Sequence, residues 1–177
     1  QRCASAEEAC TQAVKRLGRT IFALSPLGIG AGNKYLNCFA QYAKEGAIDL
    51  SILTALALQI PELNGGMKAK LLNPIFQRVY RRYTTFTYID ECLAAAQTGA
   101  PMPDYLKFYS FYFFPGFSAS VPTAQLDYTP VNFRDVNEAL RMRGVNVVAM
   151  KAAHRHGKFN CGTNTDIMTK TIRDVKS

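Results

Sequence analysis

Apolar residues recur three and four positions apart through most of this 177-residue chain, and this spacing limits its fold more than any other feature. An interval near 3.6 places side chains on one face of an α-helix, whereas a half-buried strand alternates with a period of two. The predicted helices cover Ala6 to Leu24, Asn33 to Gly46, Leu50 to Gln59, residues 74–86, Asp90 to Gln97 and stretches from Val131 onward. Since no segment clearly alternates, the sequence predicts a single all-α domain.

One segment, from Tyr105 to Phe114, is almost entirely aromatic, and its period does not distinguish a buried helix from a strand. Pro115 and Gly116 interrupt the chain directly after it. If buried, the segment needs no role beyond packing in the core. If exposed, it would form a contact between subunits or a groove that binds the arm of a neighbour.

The charge of the chain points to a polyanion as its partner. Lys and Arg number 21 against 13 Asp and Glu, which gives a net charge of +8. Nucleic acid and an anionic membrane surface both fit such a charge, and a simply solvated basic surface is the plainer alternative. The longest uncharged stretch, Phe108 to Leu126, contains Pro115, Gly116 and Pro122, so a membrane-spanning helix is not expected.

The run Gly28-Ile29-Gly30-Ala31-Gly32 precedes a predicted helix. Backbone N–H groups in a glycine-rich loop of this kind can bind phosphate. However, no Lys-Ser/Thr pair follows in the position of a P-loop, and no strand is predicted before the run. The sequence therefore favours a flexible hinge between two helices.

Motifs for catalysis or metal binding are not recognised in the chain. The five cysteines are odd in number and include no CxxC pair, which favours a reducing compartment over a disulfide framework. His154, His156 and Cys161 lie close in sequence but lack a fourth ligand and the usual paired spacing of a zinc site. We therefore expect no enzymatic activity, no metal and no cofactor.

The order of features from about Leu71 onward resembles the coat-protein core of flexible filamentous plant viruses, of the potexvirus and carlavirus type. The segment Phe76 to Tyr83 resembles the Arg-aromatic helix of that family, and Lys107 to Gly116 resembles its aromatic motif. Val147 to Ala153 resembles its late alanine-rich helix. The family motif carries aspartates where this chain has Tyr112 and Pro115, so the role of those aspartates must be filled elsewhere.

The resemblance implies an all-α, helical-bundle core with extended N- and C-terminal arms. Residues 1–32 would form an N-terminal helix with an arm and hinge, 33–158 the helical core, and 159–177 a tail. The chain would then polymerise with itself into a filament around single-stranded RNA, in a virion or the host cytoplasm. Arg82 would be the chief contact to the RNA, with Arg81 as the alternative.

Two basic clusters are the candidates for binding the RNA backbone, because phosphate is the sequence-independent feature of a genome. The candidate RNA-binding residues are Arg78, Arg81, Arg82, Lys151, Arg155 and Lys158. Two other functions remain open: a nucleoprotein of a segmented negative-strand RNA virus, and a helical adaptor that binds a protein partner through its aromatic surface.

Overall fold

The structure is a computed structural model that describes residues 2–61, 63, 65–112, 115–122, 124, 128–162, 164 and 167–175. Its helices are α1 (Ala6–Leu17), α2 (Asn33–Lys44), α3 (Gly66–Tyr80), α4 (Thr87–Thr98), α5 (Pro115–Ser120), α6 (Val136–Met142) and α7 (Ile167–Asp174). Its strands are β1 (Thr20–Leu24), β2 (Asp49–Thr54), β3 (Leu106–Ser110), β4 (Val147–Val148), β5 (Ala153–Arg155) and β6 (Lys158–Asn160). Short 3-10 turns lie at Gly28–Gly30 and Phe133–Asp135.

The expectation of an all-α fold is wrong, because the core of the protein is a parallel sheet. Its four strands lie in the order β3-β2-β1-β4. Strand β1 pairs in parallel with β2 on one side and with β4 on the other, and β3 pairs in parallel with β2. Helix α2 connects β1 to β2, as parallel neighbours require, and α3 and α4 connect β2 to β3.

Burial on both faces explains why the strands did not alternate in sequence. A parallel strand covered on both faces is a nearly continuous apolar run, which cannot be told from a turn of buried helix by its period alone. The run Ile21–Leu24 was accordingly assigned to the end of the first predicted helix. In the structure that helix ends at Leu17, and Gly18, at φ 80°, separates it from β1.

Helices cover the sheet on two sides and enclose two cores. Helices α1, α2, α4 and α5 pack on one face around Phe39, Ile52, Ile89 and Phe108. Helices α6 and α7 pack on the other face around Leu24, Leu53, Leu140 and Met168. The fold is therefore a three-layer α/β domain rather than the helical bundle that the viral resemblance implied.

Other predicted helices are also corrected. The predicted helix from Leu50 to Gln59 is strand β2, followed by an extended segment, and the helical spacing after Gly144 covers β4 and the antiparallel hairpin of β5 and β6. The ambiguous aromatic segment contains strand β3, whereas Phe113 and Phe114 lie outside the described residues. Helix α3 begins at Gly66, so Pro74 lies in its interior and not near its first turn.

One prediction of a helix end is confirmed and one is wrong. Helix α4 stops at Gly99, which has a left-handed conformation at φ 70° and donates its N–H to the Ala95 carbonyl. Asn33, by contrast, does not cap α2. The N-cap position belongs to Gly32, and the Asn33 side chain bonds to a different part of the chain.

Among the described helices, none has both the length and the apolar character needed to cross a bilayer.

Candidate anion-binding site at the carboxyl edge of the sheet

Three hydroxyl side chains lie in a row where the central strands end. Thr54 of β2 pairs with Ser110 of β3. On the other side of β2, Leu53 pairs with Leu24, the last residue of β1. Ser25, which follows Leu24, therefore lies beside Thr54. The Ser25 N–H donates to the Leu53 carbonyl at 3.1 Å, which extends the β1–β2 ladder by one residue. Since side chains alternate along a strand and neighbouring strands are about 4.8 Å apart, these hydroxyls line one face at the carboxyl edge.

Two buried hydroxyl groups at this edge have no hydrogen-bond partner. Within the described residues, Ser25 Oγ and Thr129 Oγ1 are the buried side-chain oxygens without one. Ser25 directly follows β1, and the Thr129 N–H donates to the Ser110 carbonyl at the end of β3 at 2.7 Å. An unsatisfied buried polar group costs about 1–3 kcal/mol, so two at one edge call for an explanation.

The loop from Ser25 to Gly32 connects this edge to α2. Contrary to the sequence prediction, a strand does precede the glycine-rich run, so the run is a strand–loop–helix connection and not a hinge between two helices. Gly28, at φ 61°, donates its N–H to the Leu56 carbonyl at 2.8 Å, which fixes the loop against the segment after β2.

Two of the loop glycines are required by close packing. A Cβ on Gly32 would lie 2.8 Å from the Ala149 carbonyl carbon, and one on Gly30 would overlap the buried Asn164 amide. The loop is held to the end of β4 because Gly32 N–H donates to Ala149 O at 3.3 Å and Lys151 N–H donates to Gly30 O at 2.8 Å.

The loop lies at the point where the strand order reverses. The chain proceeds from β1 to β2 and β3 in one direction, and β4 then adds on the opposite side of β1. In open parallel sheets, ligands bind outside the carboxyl ends of the strands at such a switch point. The segments after β1 and β4, which meet here through Gly30, Gly32 and Lys151, define that position in this chain.

The N-terminus of α2 adds to the positive character of the edge. The first amides of a helix have no partner within the helix, and its dipole places partial positive charge there. Its first turn contains Lys34 and no acidic residue. Asn33 is buried and donates to the Thr84 carbonyl at 2.8 Å and to Tyr83 Oη at 3.2 Å, which ties the helix start to the segment after α3.

Lys151 provides a cation near the start of α2. Its Nζ lies 5.1 Å from the centroid of the Tyr83 ring, a cation–π distance. The Tyr83 hydroxyl donates to the Leu58 carbonyl at 2.8 Å and accepts from Asn33, and burial raises the pKa of this phenol. Tyr83 therefore stays neutral and connects Lys151 to the first residue of α2.

The six candidate RNA-binding residues are only partly brought together. Arg78 is in the last turn of α3, and Arg81 and Arg82 follow it directly, so these three remain one exposed group. Tyr83, next in sequence, contacts Lys151, which links this group to one residue of the second cluster.

The remaining two candidates lie on the β5–β6 hairpin. Arg155 and Lys158 face each other across its turn, and the hairpin residues are exposed. Arg155 Nε donates to His156 Nε2 at 3.2 Å. His156 and Gly157, with φ 49° and 74°, form the two-residue turn.

The sequence reasoning missed the hydroxyl row, although a signal for it was present. Each of the apolar runs that form β1, β2 and β3 ends in a hydroxyl residue, namely Ser25, Thr54 and Ser110. Had these runs been recognised as parallel strands, the three hydroxyls would have been placed at one edge of the sheet. RNA binding and filament formation stay predictions, and the bundle that the viral resemblance implied is not the fold observed.

Comparisons with known proteins support the fold alone. No protein-family model matches the chain, and no curated protein sequence matches it. A search of solved structures finds a mutant of the protein RipA, with a TM-score of 0.59 and 14% sequence identity. The alignment covers 97% of this chain and 33% of the RipA chain, so the α/β domain described here spans about a third of that structure.

Proposed function

We propose that the domain binds a small anionic ligand, one that carries a phosphate or carboxylate group, at the carboxyl edge of its parallel sheet. The observation that carries this proposal is the position of Ser25 Oγ, which is buried without a partner where β1 leads into the glycine-rich loop. A buried hydroxyl group without a partner can donate a hydrogen bond to an oxygen atom of a bound ligand.

Three further features support an anion in particular. The glycine-rich loop leads into the N-terminus of α2, where backbone amides and the helix dipole favour negative charge. Lys151 and Lys34 add positive charge around the start of that helix, and the first turn of α2 contains no carboxylate to oppose it. The proposed function is binding, and no catalytic step is assigned to these residues.

Titration with inorganic phosphate, pyrophosphate and acetate at constant ionic strength tests the proposal. Amide NMR shifts are expected to change first for residues 25–34 and for Lys151. Ser25→Ala should weaken the affinity about tenfold or more, because a hydrogen bond to a charged group contributes about 1.5–3 kcal/mol. Ser51→Ala is the matched control, since Ser51 lies on β2 but its neighbour in β3 is Lys107, away from the edge.

Two results would contradict the proposal. One is the absence of shifts at residues 25–34 with any of the three anions. The other is a response confined to Arg78, Arg81 and Arg82, which would indicate general attraction to an exposed basic surface.

A further inference from the structure

Helix α3 presents a row of aliphatic side chains to solvent. Met67, Leu71, Ile75 and Val79 are 82%, 69%, 50% and 63% exposed. They are spaced four residues apart, so together they form a continuous stripe that turns through about 120° of the helix surface. These four residues are called the α3 stripe below. Single exposed apolar residues are ordinary, but a contiguous row on one helix indicates a binding surface.

The opposite side of α3 holds the helix in place. Ala69 is buried, and the rings of Phe76 and Tyr80 pack edge-on at 5.7 Å between centroids. Tyr80 in turn contacts the Tyr83 ring at 6.1 Å, and Tyr83 is fixed by its bond to Leu58. Because Ala69 is buried and Phe76 and Tyr80 are half-buried, the α3 stripe is the more exposed side of the helix.

Positive charge surrounds the α3 stripe. Lys68, Lys70, Arg78, Arg81 and Arg82 lie on or directly after the helix, and the sequence has no Asp or Glu between Glu62 and Asp90. In the part of the chain that the structure describes, none of the five forms an ion pair. A surface that is apolar in its centre and cationic at its borders matches an apolar surface bordered by carboxylates.

An open groove of about 850 Å³ lies on the side of α3 that carries Phe76 and Tyr80, away from the α3 stripe. Its walls come from α3 and from Ile60 and Pro61 of the segment after β2, and both Arg78 and Arg81 line it. The guanidinium groups of Arg78 and Arg81 can bind carboxylates at two points each.

We propose that the α3 stripe and the cations around it bind an acidic amphipathic helix of a partner protein. The apolar face of that helix would cover the α3 stripe, and its flanking Asp and Glu residues would pair with Arg78, Arg81 and Arg82. A second copy of this chain fits less well, because two α3 helices would bring ten unpaired cations together. RNA also fits less well, since aliphatic side chains offer bases no aromatic surface for stacking.

Fluorescence anisotropy with two labelled peptides tests this inference. Both are designed helices with leucine on one face; the first carries glutamate on its flanks and the second carries lysine. The acidic peptide is expected to bind and the basic one is not. Leu71→Glu should weaken binding of the acidic peptide about tenfold or more, as expected for a central contact, and Arg78→Glu should weaken it in a salt-dependent manner.

Met142→Glu is the matched control, because Met142 on α6 is 80% exposed and lies outside the α3 stripe. All three substituted residues are exposed, so circular dichroism spectra should stay those of the wild type. Three outcomes would overturn the inference: equal binding of both peptides, binding that Leu71→Glu and Met142→Glu reduce alike, and no binding at all.

Two more measurements distinguish the proposed partner from the two other candidates, a second copy of the chain and RNA. Self-association in sedimentation velocity that Leu71→Glu abolishes would show that a second copy covers the stripe, against the proposal. Binding of a labelled single-stranded oligouridine that Arg78→Glu abolishes and Leu71→Glu leaves unchanged would assign the surface to RNA instead.

Discussion

Replacing Ser25 by alanine should stabilise the domain when no ligand is bound. The side chain is 2% exposed and its hydroxyl has no partner, so the folded state carries the cost of removing that group from water. This cost is about 1–3 kcal/mol. Alanine differs only by the absent oxygen, so the free energy of unfolding should rise by an amount in that range.

Thermal and chemical unfolding measure the effect. For a domain of this size, 1 kcal/mol corresponds to about 2–4 °C in Tm, so a rise of several degrees is expected. The rise should appear in phosphate-free buffer and shrink as phosphate is added, because a bound ligand stabilises only the chain that retains the hydroxyl. The m-value should not change, since the buried area is the same.

A buried hydroxyl with partners provides the control. Thr171 Oγ1 donates to the Ile167 carbonyl at 2.9 Å and lies 2.6 Å from Asn137 Oδ1. Thr171→Val removes these bonds and keeps the shape, so it should lower the free energy of unfolding by about 1–3 kcal/mol. If Ser25→Ala destabilised the domain as Thr171→Val does, the Ser25 hydroxyl would already have a hydrogen-bond partner in the free protein. That result would refute the inference that this hydroxyl is available to a ligand.

Two other substitutions and one chemical probe test the structure around the site. Gly32→Ala should lower the free energy of unfolding by about 1–3 kcal/mol, because the new Cβ would lie 2.8 Å from the Ala149 backbone. Gly99→Ala is the comparison, since its Cβ would have no atom within 4 Å. It should lower the free energy of unfolding by about 1–2 kcal/mol, because Gly99 has a left-handed conformation. Denaturant unfolding in which the Gly32→Ala variant is as stable as the wild type would contradict the close approach at Gly32. Burial raises the pKa of Cys92 to about 11, and it also raises the pKa of Cys10, so both thiols should resist alkylation at pH 8 until the chain unfolds. Labelling of either at the rate of a free thiol, read by peptide mass, would show that the core opens at those positions.

The sequence was sufficient to predict helices that have one solvent-exposed face and a clear C-terminal signal. Helix α4 was recognised because apolar spacing and Gly99 agree with its observed limits. It was insufficient for α3, where the apolar spacing predicts a helix but does not identify its buried side. In the structure Ala69 is buried and Phe76 is half-buried, whereas Ile75 and Val79 are exposed. Both sides of this helix are apolar, so spacing alone cannot show which side is buried.

The strands and the site were missed for one shared reason. A strand buried on both faces loses the alternation that would identify it, so β1 and β2 were assigned to helices. Ser25, which follows β1, and Thr54, which ends β2, were therefore not recognised as neighbours. Once the runs are recognised as parallel strands, the hydroxyl that ends each run has a defined position, because all carboxyl ends of a parallel sheet meet at one edge. A polar residue that follows a short apolar run is therefore evidence about both the direction of the strand and the place of a site. In this chain the glycine-rich run after Ser25 marks the same edge. The presence of β1 before it excludes a hinge between two helices and supports the anion-binding loop that we propose.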